Sequence, residues 1–79
     1  MKRIDEMFAF VCIDENGDEG VPAIRVGEIA YPLVGADMAR IESLRSSAQA
    51  VANMTKSPVH LVKFRAREEM ETINPIPPI

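Results

Sequence analysis

The chain has 79 residues, of which 47% are hydrophobic and 27% charged, with 9 basic and 12 acidic side chains. This length and composition predict one globular domain, because a disordered chain has fewer apolar residues and a larger net charge. The formal charge of -3 excludes a uniformly basic DNA-coating protein, and a single cysteine excludes an internal disulfide and a cysteine metal cluster. The apolar run 7–13 is too short for a signal peptide or a membrane span, so we expect a cytoplasmic protein without a membrane partner.

The first predicted element is a strand over residues 7–13, an apolar run with aromatic and β-branched members. The pair Asn16-Gly17 predicts a hairpin, because both residues tolerate positive φ. Residues 21–26 should therefore return antiparallel, with Pro22 at the start or edge of that strand. Gly27-Glu28 predicts a second tight turn, followed by a third strand over residues 29–34 that is interrupted or ended near Pro32.

The helix is the clearest prediction and runs from Asp37 to Met54, with Asp37 as N-cap. Its apolar face follows helical spacing and consists of Ile41, Leu44, Ala48 and Val51. Pro58 prevents continuation, and a fourth strand follows over residues 59–67. Val62, Phe64 and Ala66 of this strand point one way, and Lys63, Arg65 and Arg67 point the other.

These elements predict an α+β domain of order β-β-β-α-β over residues 1–67, in which one helix packs on one face of a small antiparallel sheet. Residues 68–79 form an acidic and then Pro-rich C-terminal tail. The predicted core is Phe8, Phe10, Val11, Ile13, Ile24, Leu33, Ile41, Leu44, Ala48, Val51, Val62 and Phe64.

Candidate catalytic and metal-binding residues have plain structural interpretations. The spacing Asp14-x-Asn16-x-Asp18 imitates the start of a calcium loop, but Glu19 stands where such a loop has glycine and Arg25 where it has a bidentate glutamate. Cys12 and His60 are the only thiol and imidazole, and no third group is placed to orient them. The four glycines are interpreted as turn residues, not as a phosphate cradle. We therefore expect no enzyme, no metal and no cofactor.

Two segments have interpretations as binding motifs. Lys63, Arg65 and Arg67 form a basic strand face that could contact nucleic acid, although the acidic total and the lack of interleaved aromatic residues argue against it. The tail segment 75–78 has PxxP spacing without a flanking basic residue. A free tail fits this segment equally well, and a tail docked on a neighbouring subunit is an alternative that no other residue supports.

The first strand is apolar on both sides. Phe8, Phe10 and Cys12 occupy one face, and the other face consists of Met7, Ala9, Val11 and Ile13. One helix covers one face only, and monomers seldom expose a large apolar patch. We therefore predict that Met7, Ala9, Val11 and Ile13 form a self-association face in a homo-oligomer, most simply a dimer. The alternative is the middle strand of a curled sheet.

Two long segments, 8–20 and 32–37, together with the short segments 42–45 and 62–65, resemble small proteins of unknown function from actinobacterial phages and prophages, over about residues 7–73. The resemblance carries no catalytic motif. It implies a host-cell cytoplasmic location and an accessory phage role, such as binding a host or phage protein. The sequence thus predicts a non-enzymatic, self-associating protein-interaction module. The alternatives are a small nucleic-acid-binding protein and, more weakly, a hydrolase or thiol enzyme.

Overall fold

The computed structural model describes residues 3–78, so that Met1, Lys2 and Ile79, which belong to the predicted domain and tail, lie outside the described residues. The elements in chain order are β1 (Met7–Ile13), β2 (Glu19–Gly20), β3 (Ala23–Val26), β4 (Ile29–Pro32), β5 (Val34–Gly35), α1 (Met38–Thr55) and β6 (His60–Phe64). This arrangement confirms the predicted α+β fold with antiparallel strands and a helix between the last two. The strand bounds differ, because five strands instead of three precede the helix and β6 ends at Phe64 instead of residue 67.

Strand β1 is the centre of the main sheet. β6 pairs with it along Met7–Val11 on one side, and the other side is shared between β5 and β2. The prediction that residues 21–26 pair with β1 is wrong. The strand that returns after the turn pairs with β1 over Glu19–Gly20 and stops there. Between β2 and β5 the chain leaves the sheet as a second hairpin, in which β3 pairs with β4.

The turn between β1 and β2 explains the register of this pair. One carboxylate oxygen of Asp14 accepts hydrogen bonds from the backbone N–H groups of Asn16 (2.8 Å) and Asp18 (2.9 Å). Gly17 adopts a φ of 85°, as expected after a three-residue hairpin loop, whereas Asn16 does not need positive φ. Pro22 then cannot donate to a ladder, and its carbonyl accepts from the N–H of Leu33 (3.0 Å) where the second hairpin begins.

Helix α1 begins and ends at well-formed caps. The side chain of Asp37 accepts from the backbone N–H of Arg40 (2.9 Å), which confirms the predicted N-cap. Lys56 closes the other end in a left-handed conformation (φ 55°), and its N–H donates to the carbonyl of Ala52. On the exposed side, the hydrogen-bonded Arg45 guanidinium lowers the pKa of Glu42. Within the described residues no helix has the apolar length that crossing a membrane requires.

The core lies between this helix and one face of the sheet. Its buried members are Phe8, Phe10, Leu33, Ile41, Leu44 and Ala48, with Ile24, Val51 and Val59 packed against them. Gly35 lets the helix approach, since an added Cβ would lie 2.7 Å from Cγ of Arg40 and 3.4 Å from Cδ1 of Ile41. The interpretation of Gly35 as a turn residue is therefore incomplete, because it is a paired strand residue under the helix.

Val62 and Phe64, two predicted core residues, do not face the helix. Phe64 is paired with Met7 and Val62 with Ala9, so both lie on the face that the helix does not cover. Lys63 is paired with Phe8 instead, and its ammonium lies 5.5 Å from the centre of that ring. The helix packs mainly on β1 and β5, and β6 is an edge strand, so the long Lys63 side chain can reach solvent over the sheet edge.

Candidate interaction surface

The face of the main sheet opposite the helix, hereafter the free face, is almost entirely apolar. The strand registers place seven apolar side chains on it: Met7, Ala9, Val11, Ile13, Val34, Val62 and Phe64. His60 and Glu19 are the polar members, and both lie at its margin opposite Val11 and Ile13. The polar-outside alternation of a solvated antiparallel sheet is therefore missing from β1, and it is reversed in β6.

Exposure on the free face rises from the centre to the ends. Ala9 lies between Val34 and Val62 in the register, and both Ala9 and its neighbour on this face, Val11, are buried. At opposite ends of the face, Ile13 and Phe64 are 49% and 50% exposed. The prediction that Ile13 and Phe64 belong to the core is therefore wrong.

The four residues predicted as a self-association face share the free face but not its exposure. Ala9 and Val11 are already buried within one chain, and Met7 is half-buried. Ile13 alone among the four is exposed. Sequence reasoning missed Phe64, the aromatic residue of the free face, because it had assigned Phe64 to the core. The available surface is thus centred on the two ends of β1 and on β6.

A hollow of about 400 Å³ opens at one end of the free face. Its apolar lining comes from Ile4, Met7, Phe64 and Ala66, and its charged lining from Asp5, Glu6 and Arg67. The side chains of Met7 and Phe64 belong to both the hollow and the free face. The hollow therefore provides a recess for an apolar side chain at the end where Phe64 is most exposed.

The β3–β4 hairpin carries a second apolar surface. Ile24 is paired with Tyr31, and Val26 with Ile29, so these four side chains share one face of the ribbon. Ile24 packs against the core, whereas Val26 near the turn is 61% exposed. The turn requires Gly27, whose φ is 63°. Pro22 and Pro32 at the base of the hairpin are the sequence signal that these strands leave the sheet, because neither residue can donate to a ladder.

The three cations of the predicted basic strand face are exposed and lie near carboxylates. Lys63 and Arg65 lie 3.8 and 3.9 Å from the carboxylate of Glu6, and Arg67 lies 4.0 Å from that of Asp5. Arg67 also donates to the carbonyl of Ile4 (3.1 Å), and β6 ends before Arg65. Two carboxylates that precede β1 thus partly offset three positive charges, and Asp5 is shared with Arg3 (2.7 Å), so the positive potential for phosphates is lower than the sequence suggests but is not cancelled.

Cys12 and His60 are on opposite faces of the sheet. His60 is paired with Val11, and Cys12 is the next residue along β1, so its side chain points to the other side. The register therefore separates the thiol from the imidazole, and a nucleophile–base pair between them would need a different sheet. The acidic turn is equally occupied, because an oxygen of Asp14 accepts two backbone N–H groups. Among residues 3–78 no cluster of three or more His, Cys, Asp or Glu side chains could hold a metal ion.

An open groove of about 570 Å³ lies between the β1–β2 turn and the end of the helix. Cys12 lines it, together with acidic turn residues, Val21, Pro22, Thr55 and Ser57. The described groove lining contains no histidine, lysine or arginine that could act as a base or bind an anion. The groove is therefore an open surface feature in whose described lining no histidine or lysine lies beside the Cys12 thiol.

No protein-family model matches the chain, and neither a curated protein nor a solved structure shows significant similarity to it.

Proposed function

We propose that this protein is a non-enzymatic protein-interaction module that self-associates, as a dimer, through the free face of its sheet. The observation that carries the proposal is the exposure of Ile13 and Phe64 at the two ends of a face made of seven apolar side chains. Large apolar side chains that are exposed on one face of a sheet are typical of an interaction site. Self-association is the simplest way to cover it, since an identical free face is available on every copy.

The energetics favour a two-fold arrangement. Completing the burial of a half-exposed Phe or Ile contributes about 1 kcal/mol, because full burial of such a side chain contributes about 1.5–3 kcal/mol. In a two-fold dimer the same patch is used by both subunits, so Ile13 and Phe64 each contribute twice. The half-buried Met7, Val34 and Val62 extend the apolar centre of the interface.

The biological role follows from the resemblance described above and is part of the same proposal. We infer an accessory role for a phage-encoded protein in the cytoplasm of its host, in which the dimer binds a host or phage protein. A module of this kind needs no catalytic residues, and the separation of Cys12 from His60 is compatible with that role.

The test is the molar mass in solution, measured by light scattering over a range of protein concentrations. We expect the unmodified chain to be dimeric at high micromolar concentration and Phe64→Asp to be monomeric with an unchanged circular dichroism spectrum. Val26→Asp is the matched control, because it places the same charge on an exposed apolar residue of the β3–β4 hairpin. A monomeric unmodified chain would contradict the proposal, and so would a dimer that Val26→Asp dissociates and Phe64→Asp does not.

A further inference from the structure

The C-terminal tail carries apolar residues at every third position. Met70, Ile73 and Ile76 follow this spacing, and Ile79 continues it in the sequence. Their side chains are 86–91% exposed for the three described residues, and residues 65–78 contain no helix or strand. Three large apolar side chains at a fixed spacing, each without a packing partner, need a structural explanation.

A polyproline II conformation explains the spacing. This left-handed helix has three residues per turn, so positions three apart lie on the same side of it. Pro75, Pro77 and Pro78 restrict φ to the value that this conformation needs. Met70, Ile73 and Ile76 would then form one apolar stripe, while Glu71, Thr72 and Asn74 would point elsewhere.

The stripe fits the face of a sheet better than its edge. Pro75, Pro77 and Pro78 lack the N–H that an added strand must donate, so the proline-containing end of the tail is a poor partner for β-augmentation along β6. Its length suits the free face, because six residue steps from Met70 to Ile76 span about 19 Å in polyproline II. The six steps of β1 from Met7 to Ile13 span about 20 Å. The stripe can therefore reach from the exposed end at Phe64 to the exposed end at Ile13.

The shape of the chain favours a second copy as the site of docking. The radius of gyration is 15.7 Å, compared with about 12 Å for a compact domain of this length. The tail therefore does not lie on its own sheet, whose ends at Ile13 and Phe64 stay exposed. Charge permits the same exchange, since the Arg65 guanidinium lies 3.9 Å from Glu6 but is still 75% exposed, so that Glu68, Glu69 or Glu71 of another copy can reach it.

We propose that the tail of one copy docks its Met70, Ile73 and Ile76 stripe on the free face of a second copy, and that the exchange is reciprocal in the dimer. This inference rests on the proposed self-association and names the segment that covers the face. The hollow beside Met7 and Phe64 is the recess that receives one side chain of the stripe.

The experiment compares adjacent positions of the tail in the full chain, with molar mass as the readout. Ile73→Asp removes the central residue of the stripe, whereas Thr72→Asp and Asn74→Asp add the same charge beside it. We expect Ile73→Asp to weaken dimerisation on the order of a hundredfold or more, because the reciprocal exchange loses the burial of this Ile at two symmetric sites. Both control variants should dimerise like the unmodified chain, and all three should keep its circular dichroism spectrum.

Three outcomes would overturn the inference. If Ile73→Asp dimerises normally while Phe64→Asp does not, the free faces pair without the tail and the proposed function stands alone. If the unmodified chain is monomeric and Ile73→Asp increases radical modification of Phe64, the tail covers its own sheet. If all three tail variants weaken the dimer equally, the added negative charge weakens it, and the three-residue spacing of the apolar side chains does not contribute to docking.

Discussion

The two faces of the central sheet are both apolar, but the helix covers only one of them. The Phe8 and Phe10 face is covered by Ile41, Leu44 and Ala48 of the helix. The free face has seven apolar side chains but no helix of its own, and Phe64 and Ile13 remain half-exposed at its ends. Apolar composition therefore shows that a face needs cover, while the number of available elements shows whether one chain can supply it.

Replacing one phenylalanine on each face tests whether the two faces differ in burial. Phe10→Ala should lower the free energy of unfolding by about 3–5 kcal/mol, because Phe10 is buried under the helix and its removal leaves a cavity. Phe64→Ala should cost less than about 1.5 kcal/mol in the monomer, because the ring is already half-exposed. Urea denaturation at concentrations too low for self-association measures both. Equal losses would mean that Phe64 is packed in the monomer.

The close approach of the helix to the covered face is tested at two strand glycines. Gly35→Ala should cost about 1–3 kcal/mol, since its Cβ would lie 2.7 Å from Cγ of Arg40. Gly20→Ala is the matched control, because nothing lies within 4 Å of its added Cβ, and it should change stability by less than about 0.5 kcal/mol. Thermal unfolding of both variants is the measurement. A neutral Gly35→Ala would show that the helix sits farther from β5.

Substitutions of the N-cap Asp37 test whether the helix stabilises the covered face without contributing to the dimer. Asp37→Ala should cost about 1 kcal/mol, because the N–H of Arg40 loses its acceptor, and Asp37→Asn should restore most of that loss. Helical circular dichroism during urea unfolding reports both variants. Dimer affinity should not change with either, since Asp37 is not one of the free-face residues, and a large change in affinity would argue that the helix takes part in the interface.

Local signals predicted the helix and the existence of the sheet. The N-cap Asp37 and the spacing of Ile41, Leu44 and Ala48 depend on neighbours within a few residues, and the structure confirms them. The apolar run of β1 likewise predicted a strand that is apolar on both faces, and the structure places it at the centre of the sheet with Phe8–Val11 buried and Ile13 exposed.

Long-range pairing decided what the sequence could not predict. Alternation separates Val62 and Phe64 from Lys63, but the register with β1 determines which set faces the helix. The charges of Lys63 and Arg65 are offset by Glu6, a residue more than fifty positions away in the chain. The candidate face was therefore predicted in its composition, while its exposed ends were assigned only by the strand pairing.

Hydroxyl-radical footprinting across a concentration series tests whether a second molecule covers the free face in solution. We predict that modification of Phe64 and Ile13 falls several-fold as the protein concentration rises, in step with dimer formation. Met54, exposed on the helix, should be modified at a constant rate and serves as the internal reference. Constant modification of Phe64 across the series would contradict the account.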